Sequence, residues 1–222
     1  MRFFYIDNII KKMLAYWVLL WLFVAGFTIY VLPEPSPDKI QNFHFISGFF
    51  LLASLVGGFF YKVNNVLSHQ ASFAKQAAII LLLSGFLAGV CILTGVLFPL
   101  DQALSEKIII SKFYFPLFRP QIVLTKFFDI GFQQVFVFGI IKSLKSKSLD
   151  DRLTLVLFST SFFVIHLPLI FSMGLVAFYF IIPSLFAGLA FAYLILNYRF
   201  GLVLSFSLHF LFYVLIGLYL RS

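Results

Sequence analysis

Apolar runs long enough to cross a bilayer recur along this chain, separated by short polar or basic links. A hydrocarbon core takes about 20 residues of helix. Runs of that order are Met13–Leu32, Phe45–Tyr61, Ala78–Leu100, Gln121–Ile141, Leu153–Met173, Gly174–Leu196 and Phe200–Leu220. The first follows Arg2, Lys11 and Lys12 and is too long for a signal-peptide core, so it reads as a retained helix. Pro33, Pro35 and Pro37 end it, because proline cannot continue the helical ladder. Gly85, Gly89 and Gly95 in the third run are expected to allow close helix approach. Between the third and fourth runs, Asp101–Pro120 mixes Ile108–Ile110 and Phe113–Phe118 with Glu106, Lys107, Lys112 and Arg119. That mixture predicts an interfacial or partly re-entrant segment. Strand-like alternation, internal repeats and low-complexity tracts are absent. The pattern predicts an all-α polytopic membrane protein of about seven transmembrane helices. It is one membrane domain, with N-terminal helices and an interfacial segment over 1–120 and core helices over 121–222.

Composition confirms that lipid is the solvent. The chain is 62% hydrophobic, with 33 phenylalanines among 222 residues. Its mean hydropathy is +1.06, whereas soluble domains carry about 45–50% apolar residues. The formal charge of +8 comes from 16 Lys and Arg against 8 Asp and Glu. These cations lie mostly in short links, where they report topology rather than a nucleic-acid footprint. With the N-terminus inside, Arg2, Lys11, Lys12, Lys62, Lys75, Lys142, Lys145, Lys147, Arg152 and Arg199 face the cytoplasm. Lys39, Lys107, Lys112, Arg119 and Arg221 face out. The bias places the N-terminus in the cytoplasm and the C-terminus outside, in a membrane expected to be a bacterial inner (cytoplasmic) membrane. The partner so implied is the lipid bilayer. Cys91 is the only cysteine, so an internal disulfide is excluded.

The fourth run breaks the apolar pattern. Lys126, Asp129, Gln133 and Gln134 interrupt it within nine residues. Polar groups at membrane depth are costly and mark sites or pairing partners. Two other runs bring His166 and His209. At the helical rise, Gln133 lies roughly 12 Å and Asp129 about 18 Å from the inner end at Ile141. His166 lies roughly 20 Å from Leu153, and His209 about 14 Å from Phe200. All four fall in the middle band of the membrane, so three helices are expected to converge on one polar pocket. Asp129 and Gln133 share a face at i, i+4, and Lys126 reaches Asp129 at i, i+3. Structural roles also fit these residues one by one. His166 can bond a backbone carbonyl, Lys126 and Asp129 can form an ion pair, Gln133 and Gln134 can join helices, and His209 can bond Tyr213.

The order and spacing of these residues resemble the CPBP family, the CAAX protease and bacteriocin-processing group of intramembrane peptidases. Phe162-Phe163-Val164-Ile165-His166 fits that family's Phe-x-x-x-His motif. His209-Phe210-Leu211-Phe212-Tyr213 fits His-x-x-x-Asn, with Tyr213 in the place of asparagine. The lead-in from Phe186 to Tyr193 and Arg199-Phe200-Gly201-Leu202 are similar too. The first motif, Glu-Glu-x-x-x-Arg followed by Gly, aligns with Gln133-Gln134-Val135-Phe136-Val137-Phe138-Gly139. The resemblance covers about Gln121 to Ile216. It implies a helical bundle and an intramembrane endopeptidase acting on a membrane protein or peptide. In such enzymes the first glutamate activates water, and the histidines position it or stabilise the oxyanion.

Here both glutamates are glutamine, and an amide cannot accept the proton of an attacking water. Asp129, one turn earlier, or either histidine is the candidate replacement. The candidate catalytic set is therefore His166, His209, Asp129 and Gln133, with Gln134, Tyr213, Phe162 and Lys126 in support. On this reading Asp129→Asn leaves the bundle intact and removes hydrolysis. Asp129, His166 and His209 could also compose a two-histidine, one-carboxylate metal set, but Lys126 competes for Asp129; neither metal nor cofactor is assigned. A catalytically degenerate scaffold or partner protein is the alternative, and a small proton-coupled transporter a weaker one.

Overall fold

Inside a hydrocarbon layer every backbone N–H and C=O needs a partner within its own segment, which leaves helices or closed barrels. A computed structural model of the chain describes residues 40–60, 72–99, 120–145 and 149–219, with isolated positions between 8 and 23. Regular structure among the described residues is helical throughout. The elements are α1 (Ile40–Phe60), α2 (Phe73–Leu97), α3 (Pro120–Lys145), α4 (Asp151–His166), α5 (Leu169–Met173), a 3₁₀ turn (Gly174–Ala177), α6 (Phe178–Asn197) and α7 (Gly201–Tyr219).

Four segments are long and apolar enough to cross a membrane: Ala74–Leu97, Ile122–Lys145, Asp151–Phe171 and Phe178–Asn197. The chain thus has the composition and helix lengths of a membrane protein. The apolar stretches described in α1 and α7, His44–Phe59 and Gly201–Leu215, are shorter. Most of the Met13–Leu32 run and nearly all of the Asp101–Pro120 segment lie outside the described residues.

Burial sorts the helices. The spanning window of α6 is 72% buried, against 28% for those of α2 and of Asp151–Phe171. Helix α6 packs against α4, α7, α2 and α3, while α1 lies along α3. The main core joins Val137, Phe138 and Ile141 of α3 to Phe158 and Phe162 of α4, Phe191 and Leu194 of α6, and Leu208 of α7. A smaller cluster of Ile46, Phe50, Ile122 and Phe132 holds α1 to α3. There Ser47 and Thr125 share a buried hydrogen bond of 2.8 Å between the hydroxyls. Leu81, Leu82, Phe86, Ile92, Leu93 and Val96 leave α2 with an exposed apolar surface, which fits contact with lipid rather than water.

Short polar devices set the helix ends. Asp150 caps α4 by accepting from the Leu153 N–H at 2.7 Å. Asp151 in the first turn of α4 pairs with Lys145 in the last turn of α3, each charge opposing the local helix dipole. Proline decides where α4 stops. Pro168 has no N–H for the Val164 carbonyl, and Leu167 N–H takes that carbonyl at 3.2 Å in a tighter i→i−3 bond. The fifth run is therefore broken just after His166, and the sixth becomes a full α-helix only at Phe178.

Glycines mark the close approaches, but Gly85 and Gly89 are not among them. A methyl on Gly85 or Gly89 would meet nothing within 4 Å, so neither brings helices together. Both lie on the exposed surface of α2. Gly188 serves that role instead, because a Cβ there would stand 2.9 Å from Ser159 Cα and 3.3 Å from Phe162 Cβ. That contact seats α6 on α4 beside the residues that carry the site.

Candidate functional site

Two polar chains run from α3, and they start from adjacent glutamines. The first lies along α3 itself. Lys126 Nζ donates to Asp129 Oδ2 at 2.7 Å, and Gln133 Nε2 donates to Asp129 Oδ1 at 2.9 Å. The i, i+3 and i, i+4 spacings make both bonds possible on one helical face. Lys126 and Asp129 are only 5% and 7% exposed, so the pair is buried. The ammonium also lies 4.1 Å from the centroid of the Tyr213 ring on α7, within cation–π range.

The second chain crosses from α3 to α7. Gln134 is 1% exposed and points about 100° around the helix from Gln133. Its Nε2 donates to His209 Nδ1 at 2.9 Å. Its Oε1 accepts from Ser205 Oγ at 2.8 Å. Ser205 and His209 are i, i+4 on α7, so they hold the amide from both ends. The His209 ring lies 5.2 Å from that of Phe191 and 5.4 Å from that of Tyr213.

His166 closes the arrangement from α4. Its Nδ1 lies 2.6 Å from the Phe162 carbonyl, one turn back. The Phe162 and His166 rings stand 4.7 Å apart. His166 and His209 line one cleft of about 20 Å³, together with Phe162, Phe180, Pro183, Ser184, Phe191 and Tyr213. That volume is room for about one water molecule.

Hydrogen-bond chemistry fixes the tautomer of each imidazole. A carbonyl oxygen only accepts, so His166 Nδ1 carries a proton, and Nε2 of the neutral ring is an acceptor. The Gln134 amide donates to His209 Nδ1, so the proton of that neutral ring is on Nε2, which is a donor. The two histidines that line the cleft are therefore opposite tautomers, with Nε2 an acceptor on α4 and a donor on α7.

The expected convergence is met in part. His166, His209, Tyr213 and Phe162 line the cleft, and Gln134 is bonded to one of its histidines. Gln133 turns instead to Asp129, so the contact with His209 belongs to the second glutamine rather than the first. Both Asp129 oxygens are occupied, by Lys126 and Gln133, and neither bond goes to a histidine. Lys126 meets the cleft at the Tyr213 ring. Ser205 was missed in the sequence, although its i−4 spacing from His209 on an apolar helix was visible there. Among the described residues, no three His, Cys, Asp or Glu side chains are grouped to hold a metal ion. No family model, curated protein or solved structure matches the chain.

Proposed function

We propose that this protein is a CPBP-like intramembrane endopeptidase that hydrolyses a peptide bond in the cleft between His166 and His209. The observation that carries the reading is that two histidines line a cavity the size of one water, one bonded through Nδ1 to a carbonyl and the other through Nδ1 to an amide N–H, which makes them opposite tautomers. In the proposed reaction, His166 Nε2 takes a proton from that water as its oxygen attacks the scissile carbonyl carbon. His209 Nε2–H donates to the carbonyl oxygen as negative charge develops on it. The C–N bond then breaks, and the proton held by His166 passes to the leaving nitrogen. The products are one carboxyl and one amine terminus, and water supplies the added oxygen. No glutamate is needed in this scheme, because the unprotonated nitrogen of a neutral imidazole can itself accept the proton. Asp129 is not the base in this scheme.

The full topology belongs to the same proposal: seven spans, an N-terminus in the cytoplasm, and a bacterial inner membrane as the setting. A non-catalytic scaffold is the second reading, favoured by the amide at both positions where the resemblance calls for glutamate. Isotope labelling separates the two. The parent protein, reconstituted in vesicles with a library of transmembrane peptides in ¹⁸O water, is expected to yield new C-termini carrying one ¹⁸O atom. Intact peptides throughout would favour the scaffold and overturn the hydrolase.

A further inference from the structure

We propose that Ser205 is a positioning residue that sets, through Gln134, which nitrogen of His209 carries the proton. The inference deepens the proposed hydrolytic reading, in which His209 acts as a donor, but its physical content concerns the network alone. Ser205 is fully buried, Gln134 is 1% exposed and His209 is 7% exposed, so bulk water does not compete for their bonds. The Ser205 hydroxyl has one proton and two acceptors in reach, Gln134 Oε1 at 2.8 Å and the Leu202 carbonyl at 3.0 Å. When it donates to Gln134, the amide oxygen is held toward Ser205 and the amide N–H₂ faces His209 Nδ1. His209 is then the Nε2–H tautomer.

When the hydroxyl proton turns to Leu202, Ser205 Oγ becomes an acceptor for the amide N–H₂. The amide can then turn over and present its oxygen to His209, which must carry its proton on Nδ1. Both arrangements keep every bond of the chain, since an amide has a donor and an acceptor end and a hydroxyl can serve as either. The network is therefore a two-state element. The bond from Ser205 Oγ to Gln134 Oε1 at 2.8 Å belongs to the state in which His209 carries its proton on Nε2. His209 Nε2 would become an acceptor in the other state and could not stabilise an oxyanion.

Imidazole ¹⁵N spectra of protein labelled at histidine read the tautomer directly, with the His209 signal assigned by its loss in His209→Asn. The parent is expected to give His209 as the Nε2–H form. Ser205→Ala removes the hydroxyl that discriminates the two ends of the amide, and the Nδ1–H form is expected to rise to a comparable share. Ser205→Thr, which keeps the hydroxyl, is expected to restore the parent spectrum. A Ser205→Ala spectrum still showing only the Nε2–H form would overturn the proposal. Should that variant fail to fold, Gln134→Glu is the second measurement. A carboxylate has no donor for His209 Nδ1, so the proton is expected to move to Nδ1, and an unchanged Nε2–H spectrum would contradict the network. A tautomer shift without any peptide hydrolysis by the parent would leave the positioning role standing and the hydrolytic reading fallen.

Discussion

Gly201→Ala is expected to cost more stability than a methyl at Gly188 or Gly57, and to abolish the folded bundle at growth temperature. A Cβ at Gly201 would run into the Leu194 carbonyl oxygen and lie 2.6 Å from Ile195 Cα. These are backbone atoms near the end of α6, so no rotamer change relieves the clash. The connection between α6 and α7 is only a few residues long, and it is already tied by Tyr198 N–H to Leu194 O and Gly201 N–H to Tyr198 O at 3.0 Å each. Relief requires moving α7, which carries Ser205, His209 and Tyr213. Overpacking of a core that can adjust costs about 1–3 kcal/mol, and a backbone clash at a helix start should lie at or above the top of that range. Thermal unfolding in detergent, read by circular dichroism, checks this. A melting curve like the parent's would show that the helices can part at that turn.

Lys126→Met is expected to destabilise the bundle by about 3–5 kcal/mol, and Asp129→Asn by a similar amount, because each leaves one buried charge without its partner. Both side chains are nearly inaccessible, at 6% and 10% exposure in the pair, and Asp129 would keep only its bond to Gln133 if Lys126 were lost. The sequence alone suggested that Asp129→Asn would spare the bundle. The buried ion pair reverses that expectation, since the lysine left behind loses the carboxylate that neutralises its charge. The double change Lys126→Met/Asp129→Leu is expected to recover most of the loss, because an apolar replacement of a buried pair is often neutral or better. The measurement is a double-mutant cycle in detergent unfolding free energies. Additive losses in the double variant would mean that the pair contributes nothing as a pair.

How much of this was legible in the sequence depends on the kind of signal. Membrane character followed from composition, because a 62% hydrophobic chain has no other solvent in which to fold. The Lys126–Asp129 and Asp129–Gln133 bonds were legible because both are local and helical spacing dictates them. The joint placement of His166 and His209 was legible only as similar depth, which says nothing about the angle at which each helix faces its neighbours. That limit explains the exchange of roles between the glutamines: one residue of difference is about 100° of rotation, and packing of α3 against α7 decides which amide reaches His209. It also explains the glycines. Gly188 and Gly85 look alike in a run of apolar residues, yet only Gly188 faces a neighbouring backbone. The bond of His166 to a backbone carbonyl was among the roles its residue type allowed, but which carbonyl it meets was not, because rotamer choice follows the packing of Phe162.

In the proposed reaction the two histidines act together on one water. The most direct measurement is the rate of cleavage of a transmembrane peptide in vesicles by the parent, His166→Gln and His209→Gln, each first shown to be folded. Loss of the base is expected to lower the rate by about 10²–10⁴-fold, and loss of the oxyanion donor by about 10²–10³-fold. The double variant should be little worse than His166→Gln alone, since the groups serve one step. Cleavage by His166→Gln at the parent's rate would contradict the account.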